Sequence, residues 1–212
     1  IDLADWQETI RFGCSLRRMR EIDAVIERQM PARHGTVFLG SGDYHHLSWP
    51  LIERMRGRAP FNVVVFDNHP DNMRFPFGVH CGSWVRKVAL LPFVAHVDVL
   101  GISSSDVSMR HAWENYLTPL RRGKLSYWTL DVDTRWAARI GLSRAFRNFD
   151  SPAALLDRFV EEHRGAALPT YLSIDKDVLS PEVARTNWDQ GRLLDTDLTG
   201  ACLTSRRFLT GR

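Results

Sequence analysis

Apolar residues recur along this chain in two alternating rhythms. From Leu16 to Met30 they fall at Leu16, Met19, Ile22, Val25, Ile26 and Met30, the spacing of one helical face, and the pattern stops at Pro31. Short runs rich in β-branched and aromatic residues read instead as buried strands: residues 36–39, 63–66, 97–102, 126–130 and 170–174. Helical stretches separate them. Ser48 as N-cap and Pro50 as an early helical residue open a helix to about Arg56, residues 82–91 form another, and Asp106 caps a third to Leu117. Ser151 and Pro152 open a fourth, with Leu155, Leu156, Phe159 and Val160 turned inward. Strand and helix in alternation predict an α/β fold, a three-layer α-β-α arrangement around a mostly parallel sheet, in a single domain over residues 1–212.

Chemistry concentrates where the second strand run ends. Val63-Val64-Val65-Phe66 is followed by Asp67-Asn68-His69-Pro70-Asp71, which places a carboxylate, an imidazole and a carboxylate at alternate positions. In an extended chain alternate side chains share a face, so the three converge while Asn68 and Pro70 point elsewhere. Oxygen and nitrogen donors in this mixture suit Mn²⁺, Zn²⁺ or Fe²⁺. Two other strand ends carry donors, His45 or His46 after the first and Asp175 and Asp177 after the last. In parallel sheets, sites form outside these carboxyl ends. Six such ligands can hold two divalent ions, with two carboxylates bridging, and make a water between the ions acidic enough to act as hydroxide near neutral pH.

Composition alters this picture little. A formal charge of +3 and a pI near 9.0 come from scattered arginines without an aromatic RNA motif, so no nucleic-acid partner is expected. No run approaches the roughly 18 to 20 apolar residues of a membrane span, and Asp2, Asp5 and Glu8 do not suit a signal peptide, so a cytoplasmic protein without a membrane partner is expected. Cys14, Cys81 and Cys202 lack zinc-site spacing or disulfide density and read as reduced thiols. The sequence begins at Ile1 and is open to being a partial product. Asp131-Val132-Asp133 repeats the D-x-D spacing without the Ser-Ile lead-in and reads as strand-end polarity. His34, His96, His111 and His163 have no ligand-spaced neighbours, and Trp49, Trp84, Trp128 and Trp188 read as packing aromatics.

Four segments in order, Gly40-Ser41-Gly42-Asp43-Tyr44-His45-His46, Asp67-Asn68-His69-Pro70-Asp71, His80-Cys81-Gly82-Ser83 and Ser173-Ile174-Asp175-Lys176-Asp177-Val178-Leu179-Ser180-Pro181, resemble the patterns of the arginase and agmatinase (ureohydrolase) family. The resemblance spans residues 36–191 and implies an arginase/deacetylase-like fold with two Mn²⁺ per chain. It implies that Asp67 and Asp175 bridge, with His45 and Asp71 on one ion and His69 and Asp177 on the other. Counting from Asp43 leaves His45 and His46 both open; aligning the helix that begins at Leu47 favours His45. His80 matches a proton-shuttling histidine near the substrate, with a suitable pKa range, and Asp43 would orient a ligand imidazole. Asp177 would steady the tetrahedral intermediate. The implied reaction hydrolyses a guanidino carbon–nitrogen bond of a small molecule to urea and an amine, in a homo-oligomer by analogy. Two alternatives stand beside it: a one-metal amide or amine deacetylase of the same fold, and a metal-binding protein without turnover.

Three departures from the family pattern bear on the substrate. Ser180 stands where the motif has a third aspartate. Asn187-Trp188-Asp189-Gln190-Gly191 replaces a glycine-rich loop with a bulkier, more acidic rim. The tail from Gly200 to Arg212 shows no recognisable final strand and helix, which is read as C-terminal truncation or divergence.

Overall fold

The valine run at residues 63–65 belongs to β1 (Phe61–Phe66), whose residues are almost all buried because both faces of the sheet around it are covered. β1 lies between β2 (Val94–Ile102) and β5 (Thr170–Ile174); β3 (Leu125–Leu130) and β4 (Phe146–Phe149) extend the sheet beyond β2. All five strands of this sheet are parallel, in the order β4-β3-β2-β1-β5, and a separate two-residue antiparallel pair joins Gly13–Cys14 to Val79–His80. The computed structural model describes residues 1–32, 34–57 and 59–204.

The period of two along β1 divides the core. Val63 and Val65 face one layer with Val97 and Val99, under α1 (Leu16–Gln29), α2 (Ser48–Glu53) and α3 (Trp84–Ala89). Val64 and Phe66 face the other, with Leu100 and Trp128, under α6 (Pro152–His163) and α7 (Asp195–Thr204). The fold is therefore a three-layer α/β sandwich. Between α3 and α6 lie two five-residue helices, α4 (Leu117–Arg121) and α5 (Arg135–Arg139). α1 is capped by Ser15, whose Oγ accepts from the Arg18 N–H at 3.2 Å, and it ends before Pro31 as read from sequence. Gly101 sits at a register shift between β2 and β3 with φ +94°, where a Cβ would lie 2.5 Å from Val178, so only glycine fits. Among the described residues, no helix is long and apolar enough to cross a membrane.

Several sequence expectations need correction. Residues 36–39 join no sheet: they find no strand to pair with, and Phe38 is 92% exposed. The helix expected from Asp106 to Leu117 is two 3-10 turns, Ser105–Val107 and Ala112–Glu114, followed by α4. Met109 and Trp113 point to solvent, leaving no apolar face to bury, and the Asn115 amide donates to the Asp106 carbonyl at 2.9 Å. The helix expected from Gly82 begins with a 3-10 turn and becomes α-helical only at Trp84. Ser48 lies inside α2 rather than capping it. α7 includes the first residues of the tail, to Thr204, whereas residues 205–212 and the Cys202 side chain lie outside the described residues.

On the α6 side, Asp98 of β2 is buried and accepts from Trp128 Nε1 at 2.8 Å. His96 and His163 each spend Nδ1–H on a backbone carbonyl, of Gly123 and Phe159, so Nε2 can donate to Asp98, 3.3 Å away, only when the ring is protonated. Burial pushes both imidazoles down, but pairing with Asp98 outweighs it and raises them; the same pairing holds Asp98 below the usual carboxylate range despite its burial. The histidines' contribution to stability is complete below about pH 6.5 and is lost as pH rises through their raised values. That of Asp98 is present above about pH 3.9 and is lost as pH falls through its depressed value. Asp98→Asn is expected to destabilise the fold by about 3 kcal/mol at pH 6. Urea titrations at pH 6 and pH 9 should show that deficit shrinking at the higher pH.

Candidate metal centre

Parallel register brings the carboxylates together. Phe66 pairs with Ile174, so Asp67 and Asp175 leave neighbouring strands side by side. The Asp175 N–H donates to the Phe66 carbonyl at 2.8 Å, and the Asp67 N–H to that of Leu100 at 3.1 Å. The 3-10 turn Gly42–Leu47 lays His45 across these ends. A Cβ on Gly42 would stand 2.8 Å from Asp175 Oδ2, so this turn approaches closely enough only with glycine.

Past β1 the chain does not stay extended, and Asp67, His69 and Asp71 converge by another route than strand alternation. The Asp67 carboxylate accepts from the His69 N–H at 2.7 Å, folding the segment into a tight bend, and Asp71 takes a left-handed φ of +46°. Trp84 Nε1 donates to Asp71 Oδ2 at 2.6 Å and fixes its direction. Asn68, between the ligand candidates, is fully buried and ties three loops together. Its N–H donates to Asp177 Oδ1, its Nδ2 to the Asp189 carbonyl, and its Oδ1 accepts from both the N–H and the hydroxyl of Ser103.

The result is a buried cluster. His45 Nδ1 lies 3.1 Å from Asp67 Oδ2, 3.2 Å from Asp71 Oδ2 and 3.3 Å from Asp175 Oδ2. His69 Nδ1 lies 3.0 Å from Asp177 Oδ2 and 3.7 Å from Asp67 Oδ1. Two donor sets emerge, His45–Asp67–Asp175 and Asp67–His69–Asp177, each with its ligand atoms within 4.8 Å of one another and sharing Asp67. Asp71 adds a carboxylate on the His45 side.

Electrostatics and orphaned atoms show that this cluster fits a cation. Ser173 Oγ sits 2.9 Å from His45 Nε2 and can take its proton in a hydrogen bond, turning the Nδ1 lone pair toward the carboxylates. Nδ1 of His45 and Oδ2 of Asp67 are both buried and 3.1 Å apart, yet neither has a partner in hydrogen-bonding geometry. Burial lowers the affinity of both imidazoles for a proton, but the surrounding carboxylates outweigh it, raising His45 well above its usual value and His69 to about 11. Burial and the charge on Asp67 lift Asp71 and Asp175, and with Asp175 they lift Asp177 to about 6. Burial pushes Asp67 up as well, yet its contacts with both histidines hold it at about 2. Four carboxylates beside two imidazoles hold more negative charge than they can balance, and divalent ions with oxygen and nitrogen preferences match the deficit.

His45, not His46, enters the cluster. His46 is buried outside both donor sets, and burial lowers its pKa to about 4. His80 lines the cleft above the cluster, its Nδ1 accepting from the Gly82 N–H at 3.1 Å; burial lowers its pKa and keeps it neutral at pH 7. Asp43 does not orient a ligand imidazole, because its oxygens are taken by Arg11 Nε at 3.0 Å and Trp188 Nε1 at 3.1 Å; Ser173 is the residue on His45. Ser173 was legible as the serine that opens its motif. Trp188, in the segment read from sequence as a bulkier rim, lines the cleft; Asp106, Glu114 and Asn115 line it too, and sequence reasoning missed these three because a helix cap and a helix interior explained them equally well. Asp131 and Asp133 are exposed and paired with Arg192 and Arg135. Burial pushes the Cys81 thiol far up, which suits packing rather than nucleophilic attack.

Fold and site together define an α/β protein with a carboxylate–histidine cluster, suited to divalent metal, at the carboxyl ends of a parallel sheet. The arginase family model matches residues 1–186, and the chain belongs to the arginase family. An uncharacterized protein of Thermotoga maritima is 30% identical over 191 residues, covering 90% of this chain and 59% of that one. Proclavaminate amidino hydrolase from Streptomyces clavuligerus shares the fold, with a TM-score of 0.50 and 21% identity over 76% of this chain and 48% of its own. The chain thus spans about three fifths of the Thermotoga relative and half of the Streptomyces enzyme.

Because Asp67 belongs to both donor sets, Asp67→Ala is expected to remove all bound metal, read by elemental analysis of Mn²⁺-loaded protein; retention of two ions would disprove the sharing. Ser173→Ala should weaken metal binding by about 10- to 100-fold through loss of the His45 tether, measured by competition with a metallochromic chelator.

Proposed function

We propose that this protein is a metal-dependent hydrolase that cleaves a guanidino carbon–nitrogen bond of a small cationic substrate, releasing urea and an amine. The observation that carries the reading is the convergence of six donors from three segments, four of them buried and two half-buried, in two adjoining donor sets with Asp67 common to both. Family membership adds support. His45, Asp71, Asp67 and Asp175 would hold one manganese ion, and His69 and Asp177, with the same two bridging carboxylates, the other. When bound, the ions supply Lewis acidity and lower the pKa of water at the site.

The chain's own groups do the rest. A guanidinium entering the cleft must be paired as it leaves water, and Asp106, Glu114 and Asp177 supply carboxylates in the cleft lining. His80, neutral at pH 7 and on the same wall, takes up a proton and returns it to the departing amine. Asp177 is held by the Asn68 N–H at 3.1 Å and by His69 at 3.0 Å, so its carboxylate is positioned against the reacting carbon's substituents.

Metal analysis followed by urea assays on arginine, agmatine, 4-guanidinobutyrate and simple alkylguanidines tests the reading. Two manganese ions per chain and urea from at least one guanidine are expected. A fully loaded protein that releases no urea from any of them would overturn it, and one zinc ion with amide cleavage would replace it by a deacetylase. His80→Asn should keep both metals and lower kcat by about 10²- to 10⁴-fold, as followed by urea release and elemental analysis.

A further inference from the structure

Trp188 lines two cavities that differ in their charged groups. On one side is the cleft over the metal centre, about 240 Å³, lined by Asp106 and Glu114 and, among the described residues, by no lysine or arginine. On the other is a groove of about 850 Å³ lined by Arg11, Lys176 and Arg185 together with Asp43 and Asp175. Arg11 is paired with Asp43 at 3.0 Å, which leaves Lys176 and Arg185, among the described residues, as the cations of the groove that face no carboxylate pairing of this kind. Trp188, Gly42 and Asp175 line both. Gly42 has no side chain and Asp175 belongs to the metal cluster, so the indole is the only bulky group shared by the two spaces.

The indole is held in place. Its Nε1 donates to Asp43 Oδ1 at 3.1 Å, and the other Asp43 oxygen is taken by Arg11. Its backbone N–H donates to Thr186 Oγ1 at 3.2 Å, and the next residue's carbonyl is anchored by Asn68 Nδ2 at 3.0 Å. Phe12 and His69 meet the ring edge-on, with centroids 5.9 and 6.1 Å away.

Resting on the hydrolase reading for its substrate chemistry, we propose that Trp188 is a specificity-determining partition: it separates the acidic cleft from the groove that holds Lys176 and Arg185 and restricts the site to guanidines without an anionic tail. A guanidino carboxylate bound at the metal centre leaves its carboxylate among Asp106 and Glu114 with no cation to pair. Removing the indole joins the two spaces and lets that carboxylate reach Lys176 or Arg185.

Butylguanidine and 4-guanidinobutyrate, matched in length and differing in the tail, are the probes. Calorimetric titration of the Mn²⁺-loaded full chain should show wild type favouring butylguanidine by about tenfold or more. Trp188→Ala should narrow or reverse that preference by about tenfold, Trp188→Phe should keep it, and Arg185→Ala added to Trp188→Ala should take back part of the gain. Equal binding of the two probes by wild type overturns the partition without need of any variant. So does a Trp188→Ala protein, folded by its urea midpoint, whose preference is unchanged, or a Trp188→Phe protein that behaves like Trp188→Ala. Binding that follows the expected pattern while wild type releases no urea would sink the hydrolase reading and leave the partition standing.

Discussion

The functional end of this molecule depends on one electrostatic constraint: Asp67, Asp71, Asp175 and Asp177 are packed around two imidazoles where water is largely excluded. Carboxylates this close cannot all stay ionised unless cations balance them. Their repulsion is resisted by ordinary structural bonds, each made by a part of the fold with another role as well. Ladder pairing of Phe66 with Ile174 sets Asp67 beside Asp175, Trp84 reaches from α3 to Asp71, and Ser173 turns His45. The site is thus assembled in advance of any ion, which lowers the ordering cost of binding one.

Asp98 on the far face of β2 illustrates the alternative. It too is a buried carboxylate, but it meets two histidines and an indole N–H, and every donor around it is accounted for. One negative charge beside two protonatable rings needs nothing from outside. Four beside two do. The same strand layer therefore contains a self-balanced cluster that serves stability and an unbalanced one that calls for metal.

Asn68 and Asp43 extend this logic to the cleft wall. Neither is among the ligand candidates brought together at the centre, yet Asn68 joins Asp177 to the loop carrying Trp188, and Asp43 links that indole to Arg11. The side chain that lines both the cleft and the groove is thereby held from several directions, and its supports run back to the carboxylate cluster through Asn68.

Much of this could be read from the chain alone, because the relevant signals are local. Apolar runs of strand length with donors at their ends specify both the parallel sheet and the ligand set, and Pro31 and Ser151 mark helix boundaries through backbone chemistry that depends on near neighbours. What tertiary structure decided is whatever needs a distant partner. That His45 and not His46 meets the carboxylates goes with its bond to Ser173, 128 positions away. Residues 36–39 have strand composition but no strand to pair with, and Asp43 meets Trp188 only because two remote loops are held together. The stretch from Asp67 to Asp71 shows the division most plainly: its residue types announced a metal site, while the bend that makes them converge comes from a carboxylate–backbone bond and a left-handed aspartate that strand alternation did not anticipate.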